Sequence, residues 1–545
     1  MKKSSFVEGT IIATLSIVIV KILGMLYVIP FYAMIGVKGA ALYAYAYNIY
    51  VIFLDISSAG LPIAVSKVIN EFNTLGKIDA KVRAYRIGKQ LISFISIVVF
   101  ILLFLFAETI ATLILGDLQG GNTIGDVTFV IRCVSFAILV IPYLSVSKGY
   151  LQGHNIIKES SKSQLIEQVV RILFILAGSY ITLNFLNLDL KSAVGIAVFG
   201  AFAGGLSATL YILAKICKHK KELDLEVLAE PDDVSNQEIF KKIVMYAVPF
   251  IIIDIAVSIY NFIDMVFILR TLSSLGFDAE TAEFVTTSIT TWGGKISMIV
   301  SSVAAGMSVS LIPNIVEAFT LKKWKTVNFK FNKALQIILV VCLPMVFGLC
   351  LLARPVWSIF YGESDLGSYV FSVFIFVALF FNLYTVTSST LQSLNKFKAV
   401  YFSSLLGFFL NGLLDIPMML LFHQLHLAPW IGACVATIMG YSSSIFLALF
   451  ILKKDHGLSY GSVIHMLKKL LIPLGSMIAV VLLFRFLIPV NLANKWSCIL
   501  NVSIISVVGA AVYLFLSYRM GILSDVFGQE YLDKIIKKLT FGKIS

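Results

Sequence analysis

The chain has 545 residues, 59% hydrophobic and only 13% charged, with a formal net charge of +13 and a mean hydropathy of +0.93. A soluble domain carries roughly a quarter charged residues, so water cannot coat a particle of this size and composition, and a soluble globular enzyme is excluded. The positive excess fits loops that face anionic lipid headgroups, and no nucleic-acid partner is expected.

Apolar stretches of roughly 20 residues recur from end to end, each long enough to cross the hydrocarbon core. The ~10-residue alternation of a barrel is absent, which leaves helices as the spanning element. The expected fold class is all-α integral membrane with about fourteen spans. They fall at 9–35, 40–66, 91–115, 127–148, 163–186, 192–216, 243–270, 284–313, 334–353, 367–391, 400–423, 428–452, 470–489 and 498–518. Lys2 and Lys3 precede the first apolar run as in a signal peptide. The run is too long for one and lacks a small-x-small cleavage site, so it reads as a retained first span.

Between the spans, basic residues are unevenly placed. Of the 43 Lys and Arg, only Lys38, Lys191, Arg270, Arg354 and Lys495 fall in the loops on one side, and Lys21, Arg132, Arg171, Lys295 and Arg485 fall within spans. All others share the side of the N-terminus. The positive-inside rule then puts both termini in the cytoplasm of a multi-pass cell-membrane protein.

The longest polar break, 217–242, separates two blocks of six spans. LQGHNIIK (151–158) and LQSLNKFK (391–398) match at Leu151/Leu391, Gln152/Gln392, Asn155/Asn395 and Lys158/Lys398, each after the fourth span of its block. Ala59, Gly60 and Glu71 are echoed by Ala305, Gly306 and Glu317. Such a parallel repeat implies a pseudo-twofold along the membrane normal, a site between the halves and alternating access by rocking. The expected organisation is an N-terminal lobe (1–216), a cytoplasmic linker (217–242), a C-terminal lobe (243–452), spans 13 and 14 (453–518) and a cytoplasmic tail (519–545). In the tail, Leu532, Ile535, Ile536 and Leu539 share a helical face flanked by lysines, as in a short interfacial anchor.

An ionisable group inside the bilayer costs about 2.5–3.5 kcal/mol on insertion scales, so each needs a reason. Arg132, Glu108 and Arg485 lie near span ends, where snorkelling suffices. Glu167 and Arg171 are four apart on one face and are expected to satisfy each other. Lys21, Asp55, Asp254, Asp264, Lys295 and Asp415 remain. Lys21 and Lys295 lie near mid-depth, one in each block. Facing a shared cavity, two ammonium groups would hold a phosphate or pyrophosphate as point charges; paired instead with Asp55 and Asp264, they would be structural. Asp254 and Asp264 stand about 15 Å apart along a helix, too far for one paired-carboxylate centre. Asp264 or Asp415 could take a monovalent cation or proton, and Asp415 precedes Pro417, which breaks a backbone bond. His423 and His426 have a metal-compatible spacing but no third ligand nearby, so they read as a wet loop. The six scattered cysteines read as small core residues. Gly24, Gly36 and Gly60 read as sites of close helix packing. No nucleotide, zinc-protease or nucleophile-elbow motif is found, so neither an enzyme nor direct ATP use is expected. No cofactor or metal is expected, and the coupling cation is left open.

KILGMLYVIPFYAMIGVKGAALYAYAYNIYVIFLDISSAGLPIAVSKVINEF (21–72) resembles the opening of polysaccharide-transport proteins related to stage V sporulation protein B and of Gram-positive lipid II flippases. These belong to the multidrug/oligosaccharidyl-lipid/polysaccharide flippase superfamily, and LPIAVSK (61–67) is the most specific stretch. The resemblance implies a two-lobed fold with a cationic cavity, and spans 13 and 14 forming a groove for a polyprenyl tail. The implied cargo is undecaprenyl-pyrophosphate carrying the peptidoglycan disaccharide-pentapeptide, moved from inner to outer leaflet, with the peptidoglycan synthesis machinery as neighbour. It also implies that Lys21 and Lys295 occupy the family's basic positions in spans 1 and 8. Relatives often carry further arginines where this chain has Tyr27 and Val28, and the Gram-negative branch has arginine near Phe53 and Leu54. Alternatives are another undecaprenyl-linked glycan, a multidrug or organic-cation antiporter of the same superfamily, and a non-transporting scaffold for wall synthesis.

Overall fold

A computed structural model describes residues 16, 19–58, 60–116, 120–154, 156–223, 225 and 232–529, without the side chains at 56–58, 63, 249, 250, 252–254, 256, 257, 305–314, 317 and 320. Lys2, Lys3, the start of the first span, Asn155, the tail helix at 533–539, and the side chains of Asp254, Ala305, Gly306 and Glu317 lie outside the described residues.

Nineteen helices follow one another, and no strand occurs among the described residues. They are α1 (Val28–Ser58), α2 (Leu61–Thr74), α3 (Ile78–Leu105), α4 (Ala107–Leu115), α5 (Ile124–Gly153), α6 (Ile157–Leu173), α7 (Ser179–Asn184), α8 (Leu190–Lys218), α9 (Asn236–Ser274) and α10 (Ala279–Thr287). Then come α11 (Gly293–Thr320), α12 (Trp324–Leu351), α13 (Ala353–Tyr361), α14 (Asp365–Ser393), α15 (Phe397–Gln424), α16 (Pro429–His456), α17 (Gly461–Leu487), α18 (Lys495–Arg519) and α19 (Ile522–Phe527). Among the described residues, 11 helices are long and apolar enough to cross a membrane; ten overlap one expected span each, whereas Val28–Asp55 straddles the expected spans 9–35 and 40–66. The protein is an all-α, multi-pass membrane protein.

The helix ends follow from side chains in the loops. Thr123 and Asp126 form a reciprocal capping box at α5. Asp189, Ser235, Asp278 and Ser364 accept hydrogen bonds from the first-turn N–H groups of α8, α9, α10 and α14. Gly36 corrects an expectation: its φ is +63° and nothing lies within 4 Å of where a Cβ would stand. It serves a kink inside α1, not close packing. Gly60 likewise takes φ +73° before α2. Gly24 does approach another helix: a Cβ there would stand 3.4 Å from Gln168 Nε2.

The chain divides into two compact units, Met1–Lys295 and Ile296–Ser545. In the first, a core of apolar side chains on α2, α3, α5, α8 and the start of α9 buries Val65, Ile69, Ile92 and Ile212 completely. Tyr150 stacks on Tyr85 at 4.0 Å and donates to the Leu223 carbonyl at 2.8 Å. Helix α9 follows the 217–242 break in sequence yet is fastened along this unit at both ends. At one end Lys242 pairs with Glu71 at 2.7 Å, and the Lys67 ammonium lies 3.9 Å over the Tyr246 ring. At the other, Arg270 donates to the Thr112 and Leu113 carbonyls of α4.

In the second unit, α15 and α16 pack so closely that a Cβ on Gly432 would stand 2.4 Å from the Met418 carbonyl oxygen. Such a contact lets small residues bring two backbones together where lipid offers no hydrophobic drive. Helices α17 and α18 pack through Gly509 against Val481, and Tyr513 donates to the Val340 carbonyl of α12 at 2.7 Å.

Candidate functional site: a tyrosine ladder with unequal cations

Tyr43, Tyr47 and Tyr50 recur at helical spacing along α1 and form a ladder. Tyr43 stacks on Tyr47 at 6.0 Å, and Tyr47 meets Tyr50 at 6.3 Å. The Tyr27 hydroxyl lies 3.3 Å from that of Tyr43. With Arg171 and small residues of α8, the three ladder rings line a gap of about 10 Å³, room for no more than one water.

A π-helical turn, Ser288–Trp292, presents Lys295 to the ladder. Trp292 is fully buried, edge-on to Tyr32 at 5.3 Å and stacked on Tyr43 at 6.0 Å. Asn48 donates to Thr291 Oγ1 at 3.0 Å and Thr290 Oγ1 at 3.5 Å, holding the turn against α1. Three residues on, the Lys295 ammonium stands 4.5 Å above the Tyr47 ring centroid. A cation over a partly desolvated ring gains about 0.5–2 kcal/mol without being neutralised. Among the described residues, neither Lys295 nor Lys21 forms an ion pair with a carboxylate. Lys21 is half-buried in helical backbone, and among the described residues no hydrogen bond or cation–ring contact joins it to the ladder.

Arg171 sits otherwise. Its guanidinium meets Glu167 at 2.8 Å, and Lys148 approaches the second oxygen of the same carboxylate at 3.1 Å. The expected Glu167–Arg171 pair is therefore present, with Lys148 added from α5. A second π-helical turn, Phe174–Gly178, follows Arg171 directly.

Of the carboxylates singled out in the sequence, Asp55 on α1 accepts a hydrogen bond from Ser258 on α9. Asp264 is buried on α9, and Asp415 is fully buried on α15 in the second unit. Sequence reasoning passed over Glu283, which is 2% exposed. The Asn122 backbone N–H and Nδ2 each donate to it at 3.0 Å. Nothing local marks it, because its partner lies 161 positions away. The ladder was passed over too; the signal that could have found it is the aromatic spacing at 43, 47 and 50, a pattern more often core than ligand-facing.

The second unit holds a different feature. A groove of about 430 Å³ runs between α12, α13, α17, α18 and α19. Apart from Ser506 and Tyr513, every side chain lining it is apolar.

Comparison with known proteins places these features in a lineage. Residues 6–319 match the family model described as polysaccharide biosynthesis protein. The chain is 31% identical to the lipid II flippase MurJ of Bacillus subtilis (strain 168) over 537 residues, 96% of this chain and 97% of that one. It is 25% identical to stage V sporulation protein B of the same organism, covering 75% of this chain and 76% of that one. Among solved structures, a lipid II flippase MurJ in an inward closed conformation matches with a TM-score of 0.64 at 17% identity, covering 94% of this chain and 99% of that chain. An inward-facing multidrug resistance MATE family transporter matches with a TM-score of 0.62 at 14% identity, covering 81% and 96%. Matched by the family model over more than half its length and by a 31% identical relative along nearly all of it, the chain belongs to the polysaccharide biosynthesis protein family.

Proposed function

We propose that this protein is a flippase that moves undecaprenyl-pyrophosphate-linked peptidoglycan precursor, lipid II, from the inner to the outer leaflet by alternating access. The observation that carries the reading is the Lys295 ammonium, held over Tyr47 with no carboxylate to neutralise it among the described residues. A membrane protein keeps such a charge at depth when an anionic cargo supplies the missing partner. Lys21 and Lys295 are assigned to the pyrophosphate, and the apolar groove of the second unit to the polyprenyl chain. Asp55, Asp264, Asp415 and Asp254 are the carboxylates from which a coupling cation or proton site is drawn. The likeness to a lipid II flippase along nearly the whole chain supports this cargo over another undecaprenyl-linked glycan. Both termini are assigned to the cytoplasm on the lysine asymmetry.

The test is accessibility of lipid II in cells depleted of the protein and of any redundant flippase. Lipid II should accumulate where an added impermeant probe cannot reach it. Unchanged accessibility would assign the protein to another cargo.

A further inference from the structure

The apolar groove is not closed by apolar residues at both ends. On α17, Met477 and Val481 line it, and the next position four residues on is Arg485, which lines a neighbouring cleft of about 540 Å³. Residues i and i+4 share a helix face, so one stripe of α17 passes from the groove to an arginine. The junction of α12 and α13 does the same: Leu349 and Leu352 face the groove, while Leu351 and Arg354 line the cleft. Helix α12 begins beside Lys322, Lys323 and Lys325 and ends at Leu351, about 42 Å away along its axis. The arginine cleft is thus at the end of the groove remote from the lysine-rich loops.

Both guanidiniums are engaged only lightly. Arg485 donates to the Leu351 carbonyl at 3.2 Å, leaving other N–H donors unused by that bond. Arg354 pairs with Asp365 at 3.1 Å, but the two side chains are 57% and 81% exposed. An ion pair so open to water contributes little and exchanges readily for a better anion. Planar guanidiniums match phosphate oxygens in pairs.

We propose that the Arg354–Arg485 cleft is a phosphate station for a polyprenyl-phosphate lipid whose chain lies in the groove, on the membrane face opposite the lysine-rich loops. The proposal rests on the flippase reading and adds to it a place where the cargo's phosphate is held after crossing. The charge at the groove's end selects an amphiphile with a long apolar chain and a phosphate; a polyprenyl phosphate and an ordinary anionic phospholipid share that chemistry.

The experiment measures binding of undecaprenyl phosphate, undecaprenol and dioleoyl phosphatidylglycerol to the purified full-length protein by native mass spectrometry. Arg354→Gln, Arg485→Gln and the double variant should each keep the parent's elution profile and melting midpoint. Each single change should weaken undecaprenyl phosphate about tenfold, the factor a charge-assisted hydrogen bond supplies, and leave undecaprenol unchanged. Ser506→Phe, which fills the groove, should weaken both polyprenyl ligands. Undecaprenyl phosphate bound equally well by the double variant would overturn the proposal, as would phosphatidylglycerol bound as tightly as undecaprenyl phosphate. If accessibility of lipid II still depends on the protein, only the station fails. If it does not, and the parent binds no polyprenyl phosphate, the flippase reading fails with it.

Discussion

Arg171 and Lys295 both approach the tyrosine ladder of α1, yet their charges are treated in opposite ways. Arg171 is matched: Glu167 accepts from it at 2.8 Å and takes Lys148 at 3.1 Å as well. Lys295 faces the Tyr47 ring at 4.5 Å, which attracts a cation but does not cancel it. A matched charge buried in a membrane protein holds helices together, whereas an unmatched one is kept for something that arrives. On the proposed reading, the difference separates a structural cation from a functional one within a single aromatic cluster.

The comparison breaks most sharply at Lys295. Lys295→Ala, and separately Lys21→Ala, should abolish rescue of a flippase-depleted strain while membrane insertion, followed by fractionation and immunoblot, stays normal. Full rescue by the double variant would remove the anion-site assignment. Glu167→Gln should act on the matched side instead. It leaves Arg171 and Lys148 without their counter-charge, and losing one partner of a buried pair costs about 3 kcal/mol. The melting midpoint should fall, with transport per folded molecule largely kept; a normal midpoint would show the pair to be dispensable. Tyr47→Ala should lower transport about tenfold by removing the ring under the ammonium, while Tyr47→Phe should stay within about threefold. Equal losses in the two would assign the role to the hydroxyl. Smallest is Glu71→Gln, which opens the half-exposed pair with Lys242 at the end of α9. Stability should change by less than about 1 kcal/mol, and a larger drop would make that pair a true fastening of α9.

Hydropathy was enough to read most of the spans, because a bilayer demands long apolar helices. Lys295 stood out for the same reason: a charge at mid-depth is expensive wherever the helix turns. The ring beneath it was not legible. Its register depends on the π turn at Ser288–Trp292, and that turn depends on Trp292 packing between Tyr32 and Tyr43, more than 240 positions away in the chain. Glu283 escaped notice because its donors come from Asn122, outside any local pattern. Gly36 was misread for a simpler reason. A glycine that takes positive φ and one that admits a neighbouring helix look alike in a string of letters, and only the empty space around Gly36 tells them apart.

Both π turns adjoin a cation, Phe174–Gly178 just after Arg171 and Ser288–Trp292 just before Lys295. A π turn amounts to one surplus residue in an α-helix, so a single-codon deletion in either would let that helix wind regularly. The residues beyond would then stay nearly in place, whereas a deletion from the regular helix beside the turn would rotate everything beyond it by about 100°. Between Trp292 and Lys295 that second kind of deletion would swing Lys295 away from Tyr47 without altering a single charged side chain. Length, and not only letter identity, is therefore under constraint in this stretch.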